Sequence, residues 1–216
     1  MKFDTILFDL DGTLLYTLED LTDSINYMLA KYKQPILTIE QVRNYVGNGL
    51  KMLVIRALPE GQAFKLFDQF LAEFIDYYNH HNRIKTKPYD GIIETINKLS
   101  DLNIKMAIVT NKGQTASESL LEDYFKPAIN IVVGDDGTHK RKPDKEPIDI
   151  ALSKLKVLDK SKVLYVGDSE VDADTAINSD LSFVLCKYGF RDMDILSKYN
   201  PIAFIDKPSE ILNLFE

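Results

Sequence analysis

The sequence predicts an α/β protein: a mainly parallel sheet with helices on both faces, interrupted near its start by an all-helical insertion. Three observations carry that expectation. A short apolar run, Ile6-Leu7-Phe8, opens the chain and ends in acidic residues and a glycine. Residues 16–85 then show helical periodicity with no convincing strand. Beyond Lys85, short apolar runs alternate with amphipathic segments, the pattern that right-handed crossovers turn into a parallel sheet.

Taken in order, Ile6–Phe8 is too short for a helix and reads as a buried strand whose carboxyl end opens into a loop. Thr17 reads as the cap of a helix reaching Tyr32, with Leu18, Leu21, Ile25, Met28, Leu29 and Tyr32 on one face. Pro35 breaks the chain, and Thr38–Tyr45 comes next as a second short helix with Glu40 and Gln41 near its start. Gly47-Asn48-Gly49 turns into a helical Leu50–Leu58. After the loop Pro59-Glu60-Gly61, the longest amphipathic helix is expected from Gln62 to about His81. Phe64, Phe67, Phe70, Leu71, Phe74 and Tyr78 form its apolar stripe.

In the remainder, helices are expected at Ile92–Leu102, Ala116–Tyr124, Pro147–Leu155 and Val171–Ile177, with one more at the end. Strands are expected at Lys105–Thr110, Lys162–Val166, Phe183–Cys186 and Ala203–Ile205, and an apolar run spans Ile129–Val133. The domain division is therefore residues 1–15 with 86–216 for the α/β core, and 16–85 for the helical insertion.

Composition narrows the function classes. The chain has 216 residues, 45% hydrophobic and 27% charged, which is ordinary for a soluble globular protein. A net charge of −7 argues against nucleic acid as a partner. Cys186 is the sole cysteine, which rules out intramolecular disulfides and thiolate metal clusters. No apolar run approaches membrane-spanning length, and the N-terminus enters a strand almost at once with no signal peptide, so a reducing, cytoplasmic setting is expected. There is no internal repeat. His80 and His81 diverge around a helix and His139 is isolated, so none of the three makes a metal site.

The polar residues that matter sit at the predicted carboxyl ends of strands, where ligands bind in parallel sheets. Asp9 and Asp11 are two apart, so in an extended chain they face one small volume. Two such carboxylates at 4 Å repel by roughly 4 kcal/mol in a surface-like dielectric. A cation between them, or a proton on one of them, would justify the arrangement. Thr110 with Asn111, Lys142, and Asp168 with Asp172 join them if the sheet forms as read. Four carboxylates, a hydroxyl, an amide and an ammonium suit a hard divalent cation such as Mg²⁺ and a phosphate. A central carboxylate could attack phosphorus while a second moves the proton.

The ordered motifs Asp9-Leu10-Asp11-Gly12-Thr13, Thr110-Asn111, Lys142-Pro143-Asp144 and Gly167-Asp168-Ser169-Glu170-Val171-Asp172 resemble those of the haloacid dehalogenase-like hydrolases. The resemblance spans nearly the whole chain and is closest to the phosphoglycolate phosphatase branch, whose helical cap is inserted just after the first motif. Val46-Gly47-Asn48-Gly49-Leu50 and Arg56-Ala57-Leu58 also resemble that branch's cap. The resemblance implies a Rossmann-like core and a Mg²⁺-dependent phosphatase acting on a small phosphorylated metabolite through an aspartyl phosphate. It makes Asp9 the nucleophile and Asp11 the general acid/base, and has Gly12, Thr110, Asn111 and Lys142 hold the phosphoryl group. Asp9, Asp11 (through its carbonyl) and Asp168 would bind the metal, with Asp172 holding the metal or its water. Gly47, Asn48 and Arg56 become candidate substrate residues of the cap. Tyr16 departs from the pattern, standing where an aspartate is usual. A monomer or homodimer is expected.

Each motif alone has a plainer reading. Asp-x-Asp-Gly-Thr can be a strand ending in a turn, and Thr110-Asn111 a capped strand-to-helix loop. Asp168–Asp172 can be an acidic helix N-terminus. Gly47 and Gly49 can simply be a turn leading into a helix, and Arg56 cap packing. A sugar-phosphate mutase, a pyrophosphatase and a non-catalytic binding relative are the competing functions. The order of four motifs outweighs the plainer readings, the Gly12-Thr13-Leu14 continuation resembles the phosphatases more than the mutases, and the presence of both Asp9 and Asp11 argues against a non-catalytic relative.

Overall fold

The computed structural model describes residues 2–215. In chain order the elements are β1 (Thr5–Phe8), β2 (Leu15–Tyr16), α1 (Leu18–Lys31), α2 (Ile39–Tyr45), α3 (Leu50–Ala57), α4 (Phe67–His81), β3 (Lys87–Pro88), α5 (Ile92–Asp101) and β4 (Lys105–Gly113). Next come α6 (Gln114–Tyr124), β5 (Val132–Asp135), α7 (Glu146–Leu155), β6 (Val163–Gly167), α8 (Glu170–Asn178), β7 (Ser182–Cys186), α9 (Met193–Leu196) and β8 (Ala203–Ile205). The chain divides into two compact units, Met1–Leu15 with Pro88–Glu216, and Tyr16–Lys87. The crossings β2 and β3 pair as a two-stranded ribbon.

The first unit is a six-stranded sheet in the order β5-β4-β1-β6-β7-β8. β1 pairs in parallel with β4 on one side and β6 on the other. Its side chains alternate between two apolar layers. Ile6 and Phe8 join Ile92, Ile96 and Leu99 of α5 and Leu120 and Leu121 of α6. Leu7 joins Ile148, Ala151 and Leu152 of α7 and Ala173 and Ala176 of α8. With both faces covered, β1 is a continuous apolar run, as buried parallel strands are. Burial fixes β1 in the sheet between β4 and β6. Phe8 stands opposite Ile108 and Val166, so Asp9, Thr110 and Asp168 emerge at the same edge of three adjacent strands.

The second unit is helical. α1 buries Leu18, Leu21, Ile25, Met28 and Leu29, and α4 buries Phe67, Phe70, Phe74 and Tyr78. Tyr27 and Tyr77 stack at 4.1 Å, and Glu73 on α4 accepts from Lys31 (2.8 Å) and Tyr32 (2.9 Å) at the end of α1. Asp20, buried in the first turn of α1, accepts from the amides of Ile84, Lys85 and Thr86 at 2.8–3.0 Å. That carboxylate ties the first and last segments of the insertion together.

Several local expectations need correction. The long helix begins at Phe67, not Gln62: the amides of Phe64 and Phe67 bond three residues back to Gly61 and Phe64, so tight turns occupy that stretch. Thr17 occupies the N-cap position of α1, but its side chain makes no capping bond, whereas Thr38 and Gln41 form a reciprocal capping box on α2. The strand expected to stop at Thr110 continues to Gly113. The last helical segment is 3₁₀, over Pro208–Leu214. Among the described residues no helix is long and apolar enough to cross a membrane.

Candidate active site

Asp9 comes directly after β1, and its amide donates to the Val166 carbonyl at 2.9 Å, which locks it against β6. Asp168 stands just beyond β6. Its Oδ1 accepts from the Thr13 hydroxyl (3.1 Å) and its Oδ2 from the Phe190 amide (2.7 Å). A methyl group at Gly12 or Gly189 would overlap the Asp168 carboxylate. Gly12 also has φ +91°, a conformation that glycine adopts without strain. Two loops, one after β1 and one after β7, thus close on a single carboxylate.

Asp172 lies in the first turn of α8. Its Oδ2 takes the Ser169 hydroxyl (2.6 Å) and the amides of Asp168 (3.2 Å) and Ser169 (3.1 Å). Its Oδ1 takes the Lys142 ammonium (2.7 Å) and the Tyr165 hydroxyl (3.0 Å). Lys142 also reaches Asp9 Oδ1 at 2.7 Å, so one buried ammonium bridges two buried carboxylates. Asn111 places it: the Asn111 side chain donates to the Lys142 carbonyl (3.0 Å) and accepts from the Lys142 amide (2.9 Å). That side chain is thereby committed to the Lys142 backbone. The Thr110 hydroxyl accepts from the Lys112 amide (3.2 Å), which leaves its proton to donate elsewhere.

Asp9, Asp168 and Asp172 each present a carboxylate oxygen within 4.8 Å of the others. Burial, then the charge of Asp172, push Asp9 up to about 7 despite Lys142. Burial and the charges of Asp172 and Asp9 push Asp168 up as well. For Asp172 burial also acts upward, but the Lys142 charge and the bonds from Lys142, Ser169 and Tyr165 outweigh it and hold it low. Burial lowers Lys142, and the facing Asp172 and Asp9 reverse that and hold it protonated. The asymmetry is informative. Lys142 largely satisfies Asp172, and Asp9 and Asp168 remain under-compensated. An all-oxygen, negatively charged, buried donor set of this kind fits a hard divalent cation.

Asp11 stands apart from that trio, with its carboxylate on Lys112 (3.1 and 3.4 Å). The remaining candidates lie in the helical unit. There Arg56 donates to the carbonyls of Tyr45 (2.8 Å) and Gly47 (3.4 Å), so its guanidinium shapes the turn that carries Gly47 and Asn48. Sequence reasoning passed over Tyr165, Lys112, Gly189 and Asp20. Tyr165 did leave a signal: a tyrosine within a fully buried strand needs a partner for its hydroxyl.

The chain matches the profile of the haloacid dehalogenase-like hydrolases over residues 6–186. It belongs to that family. Among its relatives is the phosphoglycolate phosphatase of Pseudomonas savastanoi pv. phaseolicola, 32% identical over 207 residues, covering 93% of this chain and 75% of the relative. The N-acetylmuramic acid 6-phosphate phosphatase of Pseudomonas aeruginosa is 27% identical over 218 residues, covering 100% and 96%. A solved structure from Lactobacillus delbrueckii subsp. bulgaricus superposes with a TM-score of 0.93 at 29% identity, covering 99% of this chain and 98% of that one. This member of the family is a phosphoric monoester hydrolase similar to the phosphoglycolate phosphatases.

Proposed function

We propose that this chain is a Mg²⁺-dependent phosphatase that hydrolyses a small phosphoglycolate-like metabolite through an aspartyl phosphate on Asp9. The observation that carries the proposal is the under-compensated pair Asp9 and Asp168, buried beside a single bridging ammonium at the carboxyl end of the central strand.

Asp9, Asp168 and the Asp11 carbonyl would hold the cation, and Asp172, whose oxygens are engaged by Lys142 and by amides, orients them. A Mg²⁺ ion held by these residues would supply positive charge to offset that of the phosphoryl oxygens. Asp9 attacks phosphorus, its carboxylate fixed by Lys142. The Thr110 hydroxyl and the Asn111 backbone amide bind phosphoryl oxygens, and Lys142 balances the charge gathered at the centre. Asp11 gives a proton to the departing alkoxide. It then takes one from the water that attacks the phosphoenzyme, which restores Asp9.

The test is phosphate release from a panel that includes 2-phosphoglycolate, N-acetylmuramic acid 6-phosphate and p-nitrophenyl phosphate, with Mg²⁺ and after chelation. Turnover that needs Mg²⁺ and disappears in a folded Asp9→Asn variant is expected. No turnover of any ester with metal present would overturn the proposal.

A further inference from the structure

The two carboxylates of the Asp9-Leu10-Asp11 motif have separate lysines. Asp9 is held by Lys142 at 2.7 Å, and Asp11 by Lys112 at 3.1 Å. The Lys112 side chain is only 3% exposed, whereas that of Asp11 is 22% exposed. A buried ammonium is costly unless paired, and here it is spent on the more exposed carboxylate of the motif. β4 makes the pairing possible. The strand runs three residues beyond Thr110 with a register shift against β5 between Val109 and Gly113, and in that irregular stretch the Lys112 ammonium meets Asp11 while Asn111 bonds the Lys142 backbone. The Lys112 amide is bonded to the Thr110 hydroxyl at 3.2 Å, and Gly134 on β5 leaves no room for a methyl group against the Lys112 backbone. The base of the lysine is therefore rigid, and its ammonium lies within reach of both Asp11 oxygens at 3.1 and 3.4 Å.

We infer that Lys112 is a positioning residue for Asp11: it fixes the carboxyl group at the mouth of the site so that the proton is delivered to the leaving oxygen. This rests on the assignment of Asp11 as general acid/base. A fixed carboxyl matters most where the leaving group needs that proton. An alkoxide needs it and p-nitrophenolate does not, so the two substrates separate positioning of Asp11 from general damage to the site.

The experiment compares kcat/KM for an alkyl phosphate and for p-nitrophenyl phosphate in wild type, Lys112→Met, Asp11→Asn and the double variant, with folding checked by thermal melts. Lys112→Met is expected to lower the alkyl phosphate value about tenfold or more beyond its effect on p-nitrophenyl phosphate, a part of the 10²–10⁴ that acid/base catalysis supplies. The double variant should be no worse than Asp11→Asn alone, because the lysine acts through the aspartate. Equal losses on both substrates, or additive losses in the double variant, would overturn the inference. If Lys112→Met fails to fold, Lys112→Arg, which keeps the charge and displaces it, is read in the same ratio. Asp11→Asn separates the two levels. If it shows no leaving-group selectivity, the acid/base assignment fails; if it does and Lys112→Met does not, only the positioning role fails.

Discussion

Asp9 shows how a buried site sets its own pH dependence. Its folded pKa of about 7 lies above the ordinary aspartate value because burial and Asp172 disfavour the charge. The folded protein therefore keeps a proton that the unfolded chain has already lost between about pH 4 and 7. Stability from this group is present below the unfolded pKa, declines as pH rises through that window, and levels off above the folded pKa. Denaturant melts of metal-free protein from pH 5 to 8 should show wild type losing stability relative to Asp9→Asn, by on the order of 1–4 kcal/mol. Parallel curves would contradict this. Asp172, held low by Lys142 and its hydrogen bonds, acts in the opposite sense, and only in more acidic solution. The acidic motifs were legible in the sequence because they are local. The charge balance among them was not, since Lys142 meets Asp172 and Asp9 from 30 and 133 residues away.

At the scale of elements, the helical insertion depends on Asp20. One carboxylate accepts the amides of Ile84, Lys85 and Thr86 and so anchors the end of the insertion to its first helix. Asp20→Ala leaves those amides without their charged acceptor and should cost about 1–3 kcal/mol, measured as a lower denaturation midpoint of the full chain. An unchanged midpoint would show that the anchor is dispensable. Asp20 looked like an ordinary acidic residue in a first helical turn, because nothing local marks a partner 64 residues on. Periodicity revealed both long helices of the insertion and most strands of the core. It failed where polar residues continue a strand, as in Asn111-Lys112-Gly113, and where i−3 turns carry the apolar spacing of a helix, as at Phe64. Thr17 illustrates a further limit. The residue type and position suit a cap, but the backbone at φ −104°, ψ 0° is not the extended one that brings the hydroxyl onto the helix amides.

At the scale of the molecule, a parallel sheet brings three adjacent strands side by side, and the chain supplies each near the same edge with a carboxylate or a hydroxyl. The fold positions the groups, and the mismatch of charge among them calls for a cation and an electrophile. The central claim is that Asp9 itself takes the phosphoryl group. It is tested most directly by acid-quenching the enzyme during turnover of a phosphomonoester with Mg²⁺ and locating the phosphoryl group by peptide mass. An adduct on the peptide containing Asp9, absent from Asp9→Asn, is predicted. A phosphoryl group on another residue, or an Asp9→Asn variant that turns over like wild type, would contradict the account.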